Sequence, residues 1–385
     1  MQILKSLSGL LVTIVLALIS CSPVPSTPIP RIPEVIKTVG IRLNSDGHGL
    51  VAVNTKTGYV YVSAIQRITI FKDAEILSVL KTEGEDIVSM AVDETRDLVY
   101  VVNQHSDSVS VIHGSEVIGT VPTVGHMPRS VAVEPQSGIA YVVSGHRKAP
   151  PNEDPVEGNV LVLSSTRIVA NIKASERVLL TQIVVDPVGG YVYAGDVSGR
   201  IIVINGLQEV AHYDLTRALA AMDVNSRTGE VYVYTDSRLS KFRAGQLLGT
   251  VEVSERPIFW SQLRVHPVTE NLYITAGGQE EGHVLVLNDM TEIANIKVGG
   301  GAKDIAFDAT TQNVYVTNFE EDTVTVINGT QILATIKVGW YPYGIGVTPA
   351  NGWVYVSNIN DGTVTILGYP EQKTNGTQPS TKPYP

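Results

Sequence analysis

The stretch 304–339 reads Asp304-Ile305-Ala306-Phe307-Asp308, then Asn313-Val314-Tyr315-Val316-Thr317-Asn318, then Thr323-Val324-Thr325-Val326-Ile327-Asn328-Gly329, then Ile332-Leu333-Ala334-Thr335-Ile336-Lys337-Val338-Gly339. Each piece is a short run rich in β-branched and aromatic residues, and polar turn residues separate the pieces. Four strands joined by hairpins is the simplest reading.

The second strand of this block recurs along the chain. It appears as Tyr59-Val60-Tyr61-Val62, Leu98-Val99-Tyr100-Val101, Ile139-Ala140-Tyr141-Val142 and Tyr191-Val192-Tyr193-Ala194. It returns as Glu230-Val231-Tyr232-Val233, Asn271-Leu272-Tyr273-Ile274, Asn313-Val314-Tyr315-Val316 and Trp353-Val354-Tyr355-Val356. Most copies are about 40 residues apart, a period that marks a repeat architecture. An insertion over 146–158 lengthens the third unit. The turn before the strand repeats as well, as Thr57-Gly58, Ser137-Gly138, Thr228-Gly229 and Asn351-Gly352. These are tight hairpin chemistries in which Gly supplies positive φ. No segment sustains a 3.6-residue apolar period, so almost no helix is expected.

A four-stranded unit cannot bury both faces alone, and stacking such units in a ring solves this. The fold class expected is all-β, an eight-bladed β-propeller of four-stranded blades, with seven blades as the alternative. The eighth unit supplies only three strands, at 345–347, 354–356 and 363–367. The N-terminal run Val35-Ile36-Lys37-Thr38-Val39-Gly40 resembles Ala334-Thr335-Ile336-Lys337-Val338-Gly339. It is therefore expected to complete the last blade as its outermost strand, removing an open seam.

The strand Tyr315-Val316-Thr317-Asn318, the near copy Tyr355-Val356-Ser357-Asn358 and the turns Val298-Gly299 and Val338-Gly339 resemble the YVTN-type β-propeller repeat family of bacterial and archaeal surface and periplasmic proteins. The resemblance covers 34–368. It implies the fold and leaves function open, because propellers carry many unrelated activities; seven blades are commoner in that family.

The first twenty residues read as a signal peptide. Lys5 is a short positive n-region, and 7–19 is an apolar h-region too short to span a bilayer comfortably. The run Leu18-Ile19-Ser20-Cys21 resembles the bacterial lipobox, in which the Cys is lipidated and becomes the mature N-terminus. Cys21 is the only cysteine of the chain, which excludes an internal disulfide and cysteine-rich metal sites. Residues 21–33 carry five prolines and read as an extended tether; residues 369–385 read as a disordered tail. The localisation expected is the cell envelope, extracytoplasmic, with membrane contact through the lipid anchor only. The net charge of −10 becomes −11 once Lys5 is removed, which argues against nucleic-acid partners.

In a propeller the inter-blade loops and the loops joining second to third strands surround one mouth of the central channel. Deviations from the repeat there are the informative positions. The inter-blade loops carry Arg42, His48, His126, Met127, Arg129, Arg177, Arg217, Arg256, Phe259, Trp260, Lys303, Trp340, Tyr341 and Tyr343. Recurring cations suit an anionic group, and exposed aromatics suit a ligand or partner surface. From this set, Arg42, His126, Arg129, Arg177, Arg217, Arg256, Trp260, Lys303, Trp340, Tyr341 and Tyr343 are the candidate ligand-binding residues. His105, His126 and His146 share the same expected face and form a candidate transition-metal set, although no short metal motif supports it. No cofactor is expected. HExxH, GxSxG, P-loop, dinucleotide and EF-hand motifs are missing.

Three functions follow as expectations: a non-catalytic envelope binding or protein-interaction module, an envelope lactonase- or lyase-like enzyme with its site at the mouth, and a structural surface-layer or adhesion component. The partner expected is a protein or a small anionic or glycan ligand on the upper face, bound by a monomer. A polar pocket with a His and a carboxylate in hydrogen-bond reach would favour the enzyme, with His126 as base and Arg129 or Arg256 as anion clamp. A face rich in Trp340, Tyr341 and Tyr343 would favour binding.

Overall fold

The computed structural model of the protein describes residues 31–41, 48–84, 86–123, 127–144, 158–174, 179–256 and 261–369. Within them the chain forms eight four-stranded antiparallel sheets and no helix. The blades comprise residues 51–81, 87–122, 128–173, 180–214, 219–252, 263–298 and 302–337, and an eighth made of 342–368 with Glu34–Gly40. Seven blades are consecutive four-stranded meanders. In the eighth, Glu34–Gly40 lies outermost against Thr363–Gly368, in register Val39 with Val364 and Glu34 with Gly368. The ring therefore has eight blades and closes through its N-terminal strand.

Burial explains the sequence pattern strand by strand. The second strand of a blade is sandwiched by neighbouring blades on both faces, so all of Asn313–Asn318 is buried. The outermost strand has one face in solvent, so Gln331–Lys337 exposes most of its length. Each hydrophobic core lies between two blades. Tyr273, Val284 and Val286 of blade 6 pack with Ile305, Val314 and Val316 of blade 7. Tyr355, Val364 and Ile366 of blade 8 pack with Val60, Val62 and Phe71 of blade 1. Fully burying one such side chain contributes about 1.5–3 kcal/mol, so the stability lies in blade stacking.

In several blades the recurring tyrosine of the second strand ties one blade to the next. Its buried ring leaves a hydroxyl that must find a partner. The hydroxyl of Tyr61 donates to the Gly114 carbonyl at 2.8 Å, and that of Tyr273 to the Gly329 carbonyl at 3.0 Å. The Tyr193 hydroxyl accepts from the Gly245 amide at 2.8 Å, and the Tyr355 hydroxyl from the Ala74 amide at 3.1 Å. In every case the partner belongs to the outer hairpin turn of the following blade, and Tyr355 carries the chain of contacts across the seam from blade 8 to blade 1.

The asparagine that ends the second strand has a local duty. Asn318 donates to Thr323 and Thr325 hydroxyls, both at 2.8 Å, and Asn358 to Thr363 and Thr365 at 3.0 and 2.9 Å. Asn103 does the same with Ser108 and Ser110. A glycine from the preceding inter-blade turn lies against each one. A Cβ on Gly84 would fall 2.1 Å from the Asn103 side chain, and one on Gly299 or Gly339 would fall 2.8 or 2.7 Å from Asn318 or Asn358. The Val-Gly turn and the terminal Asn of the repeat are thus one packing unit.

Candidate binding site at the channel mouth

The innermost strands line the central channel, and a bulge near the top of most of them shapes its mouth. The pairing of first and second strands shifts between Ile87 and Ser89, Pro128 and Ser130, Leu180 and Gln182, Leu219 and Ala221, Ala302 and Ile305, and Pro342 and Ile345. A bulge re-aims a side chain that regular pleating would bury in the blade. The residues so placed are Val88, Arg129, Thr181, Ala220, Lys303 and Tyr343. Aligned repeats put Gly49 and Ser261 at the same position, so eight copies carry eight different residues there. The scaffold tyrosine, by contrast, is the same in all eight.

A cavity of about 640 Å³ occupies the mouth, lined by His48, Gln104, Arg129, Arg264, Lys303, Asp304, Phe319 and Tyr343, among others. Below it lies a narrower space of about 360 Å³ that shares Arg129, Arg264 and Asp304 and reaches Asp223.

Lys303 is only 8% exposed. Its ammonium lies over the Tyr343 ring, 3.9 Å from the centroid, and 5.9 Å from that of Phe319. Burial pulls its pKa down to about 8, against the opposing pull of Asp304. Phe319 stacks on Tyr341 at 4.6 Å and 10°, and meets Tyr343 edge-on. The Tyr343 hydroxyl lies 2.5 Å from Nδ1 of His48. Burial lowers the His48 pKa, more than Asp86 raises it, and Lys303 lowers it further. His48 is therefore neutral near pH 7. Asp86, 3.8 Å from its Nε2, favours the proton on that nitrogen, so Nδ1 accepts from Tyr343.

The carboxylates of the channel are already engaged. Asp304 accepts from the backbone amides of Ile305 and, in the next blade, Ile345, at 2.9 and 3.1 Å. Asp223 accepts from Val265 of the next blade at 2.8 Å. Ser89 reaches Val131 in the same way, so this is a recurrent inter-blade latch. Burial raises the pKa of both aspartates, with Arg264 acting the other way. Arg264 stands 3.9 Å from Asp304 with its side chain 40% exposed. Arg129 has a buried Nε without a hydrogen-bond partner among the described residues, and burial lowers its pKa. Unpaired buried donors are costly and mark a place where a ligand or water completes the shell.

Of the residues expected from sequence, the structure brings Arg129, Lys303 and Tyr343 together. Trp340 and Tyr341 lie outside the cavity on the upper surface, 58% and 39% exposed. Arg217 is paired with Asp236, away from the cavity, and Arg256 is exposed and does not line it. Arg42, His126, Arg177, Trp260 and His146 lie outside the described residues, as do Cys21 and nearly all of the 146–158 insertion. His105 sits 3.5 Å from Asp86, and among the described residues no three His, Cys, Asp or Glu groups are arranged to hold a metal. Arg264, Asp304, Asp223 and Phe319 were absent from the candidates. A signal for two of them exists in the sequence: at the position of Asp223 and Arg264 the other six repeats carry Ala52, Ala91, Ala132, Val184, Ala306 and Gly346. Charge within a strand, where its equivalents are small and apolar, marks the channel lining.

No family model matches the sequence, and no curated protein matches it. Among solved structures, the chain superposes on the β-propeller domain of Myceliophteria thermophila Cps50 (Swd1) with a TM-score of 0.56 at 11% identity, over 88% of this chain and 100% of that one. It also superposes on Kuenenia stuttgartiensis hydrazine synthase with a TM-score of 0.55 at 15% identity, over 84% and 97% of the two chains. At such identities the likeness concerns the fold.

Proposed function

We propose that the protein is a lipid-anchored cell-envelope module that binds a small anionic ligand at the channel mouth without catalytic turnover. The observation that carries this reading is the meeting of Arg129, Arg264 and Lys303 in one aromatic-walled cavity whose carboxylate, Asp304, is committed to a backbone amide of the next blade, as is Asp223 in the narrower space below. Arg129, Arg264 and Lys303 line the cavity beside the single carboxylate Asp304, and Tyr343 and Phe319 offer a flat apolar wall to the body of an anion. The enzyme reading has less support. Asp86 stands 3.8 Å from His48 and 3.5 Å from His105, both beyond a good hydrogen bond, and the closer pair His283–Glu281, at 3.3 Å, does not line the cavity.

Anchoring is expected through Cys21, whose place directly after an apolar h-region resembles a lipobox. The carbonyl of Arg31 accepts from Asn313 at the turn between first and second strands of blade 7, on the face opposite the mouth. The YVTN-type assignment of the repeats draws support from the shared duty of Asn103, Asn318 and Asn358. The partner in this reading is the small ligand alone, and the module is a monomer.

Mandelate, an aromatic carboxylate without a reactive carbonyl, is a suitable probe. Calorimetric titration of the Cys21→Ser protein should show saturable binding, weakened at least tenfold by Arg129→Met or Arg264→Met. Absence of binding, or binding indifferent to both substitutions, would reject the reading. In the native host, Cys21→Ser should move the protein from the membrane to the soluble fraction.

A further inference from the structure

We propose that Lys303 captures its ligand covalently and reversibly, as an imine, and that the ligand is an α-keto acid with an apolar body. This rests on the anion-binding reading above and goes beyond it by naming the reacting atom and the carbonyl it meets.

The geometry comes from three places in the chain. Lys303 is set by the bulge between Ala302 and Ile305, which turns its side chain from the blade interior into the mouth. Tyr343, from the equivalent bulge of blade 8, covers the amine with its ring. Phe319, at the end of the second strand of blade 7, closes the other side. The amine thus opens onto the cavity from between two apolar walls and is nearly shielded from bulk water. Burial disfavours ammonium over free amine and outweighs the opposing pull of Asp304 and of the aromatic faces. With its pKa near 8, about half of the Lys303 side chains are nucleophilic at pH 8, against about 0.4% of an exposed lysine with an ordinary value near 10.4. Among the described residues, the charged and titratable groups facing the amine include Asp304 beside it, Tyr343 over it, His48 across the Tyr343 hydroxyl, and Arg129 and Arg264 on the same cavity lining; burial holds His48 neutral.

Arg129 and Arg264 line the same cavity, so a carboxylate held there leaves its neighbouring carbonyl to be presented to the amine. The lone pair of Nζ attacks the carbonyl carbon and a C–N bond forms. The C–O bond then breaks, and the oxygen leaves as water with the two protons given up by nitrogen. No oxidant or reductant is involved, and hydrolysis returns the ligand unchanged.

The test uses the Cys21→Ser protein, benzoylformate as the α-keto acid, cyanoborohydride to reduce any imine to a stable secondary amine, and peptide mass mapping. At pH 8 the adduct should be enriched about 100-fold at Lys303 over exposed Lys337, and excess mandelate should suppress it. If mandelate binds but the adduct is absent from Lys303 or spread evenly over exposed lysines, the imine is overturned while the anion-binding reading stands. If neither compound binds, both fall.

Discussion

The hydroxyls of Tyr315 and Tyr369 lie 2.7 Å apart, and this contact replaces at the seam the bond that other blades make to a hairpin turn. Blade 8 has no such turn, because its outermost strand comes from the other end of the chain. Tyr369 fills the vacancy, also reaching Asp308 and Asn313 at 3.3 and 3.2 Å. The propeller's bonding therefore extends one residue into the stretch that reads as a disordered tail. Tyr369→Phe should cost about 1–2 kcal/mol, since it removes the hydroxyl that the part-buried Tyr315, Asp308 and Asn313 all reach. The denaturant midpoint measures this; an unchanged midpoint would show that the seam does not depend on the contact.

Gly84 should be intolerant of a methyl group. Its Cβ would enter the buried Asn103 side chain, which is held by two hydroxyls and cannot swing away. Gly84→Ala is expected to destabilise by about 1–3 kcal/mol. Gly249→Ala is the control, because nothing lies within 4 Å of that position; it should fall within about 0.5 kcal/mol of wild type.

Gln312 should be improvable. It has φ of 61°, in a turn where the equivalent residue of blade 8 is Gly352 with φ of 67°. Gln312 is exposed, and its amide bond to the Asp308 carbonyl survives replacement. Gln312→Gly removes left-handed strain of about 1–2 kcal/mol and adds unfolded-state entropy of about 0.5–1 kcal/mol. A net gain of about 0.5–1 kcal/mol is expected in the denaturant midpoint.

Stability should fall with acid through His266. Its Nδ1 accepts from the amides of Val268 and Thr269, both at 3.1 Å, and burial lowers its pKa below 6.5. Between the unfolded value near 6.5 and the lower folded value, the unfolded chain binds the extra proton, so stability declines as pH drops through that window and is whole above it. Asn225 receives the same two bonds one blade earlier through an amide oxygen that cannot titrate. His266→Asn should flatten part of the decline in melting temperature between pH 7 and pH 5. An unaltered slope would assign the decline to His48 and the carboxylates.

The blade count, the tyrosine that recurs in every second strand, and the closing strand were all legible from residues alone. Tyr315 and the run 35–40 carry information because a repeat states the same local rule eight times. Alternation along a strand and a glycine in a turn act over a few residues, and they do not depend on what lies across the ring.

The site was legible only in part. Lys303 and Tyr343 stand out in the sequence as departures from the repeat, but so do Arg217 and Arg256, which the fold sends elsewhere. A one-residue bulge decides which side chain meets the channel, and period-two patterning cannot register it. Arg264 and His48 join the same cavity across more than 200 residues of chain. Local sequence determined that eight sheets form and that the first strand completes the last, because pleat and turn chemistry are short-range. Ring closure decided which cations and aromatics face one another, because only stacking blades around an axis sets the distance between side chains that no local rule connects.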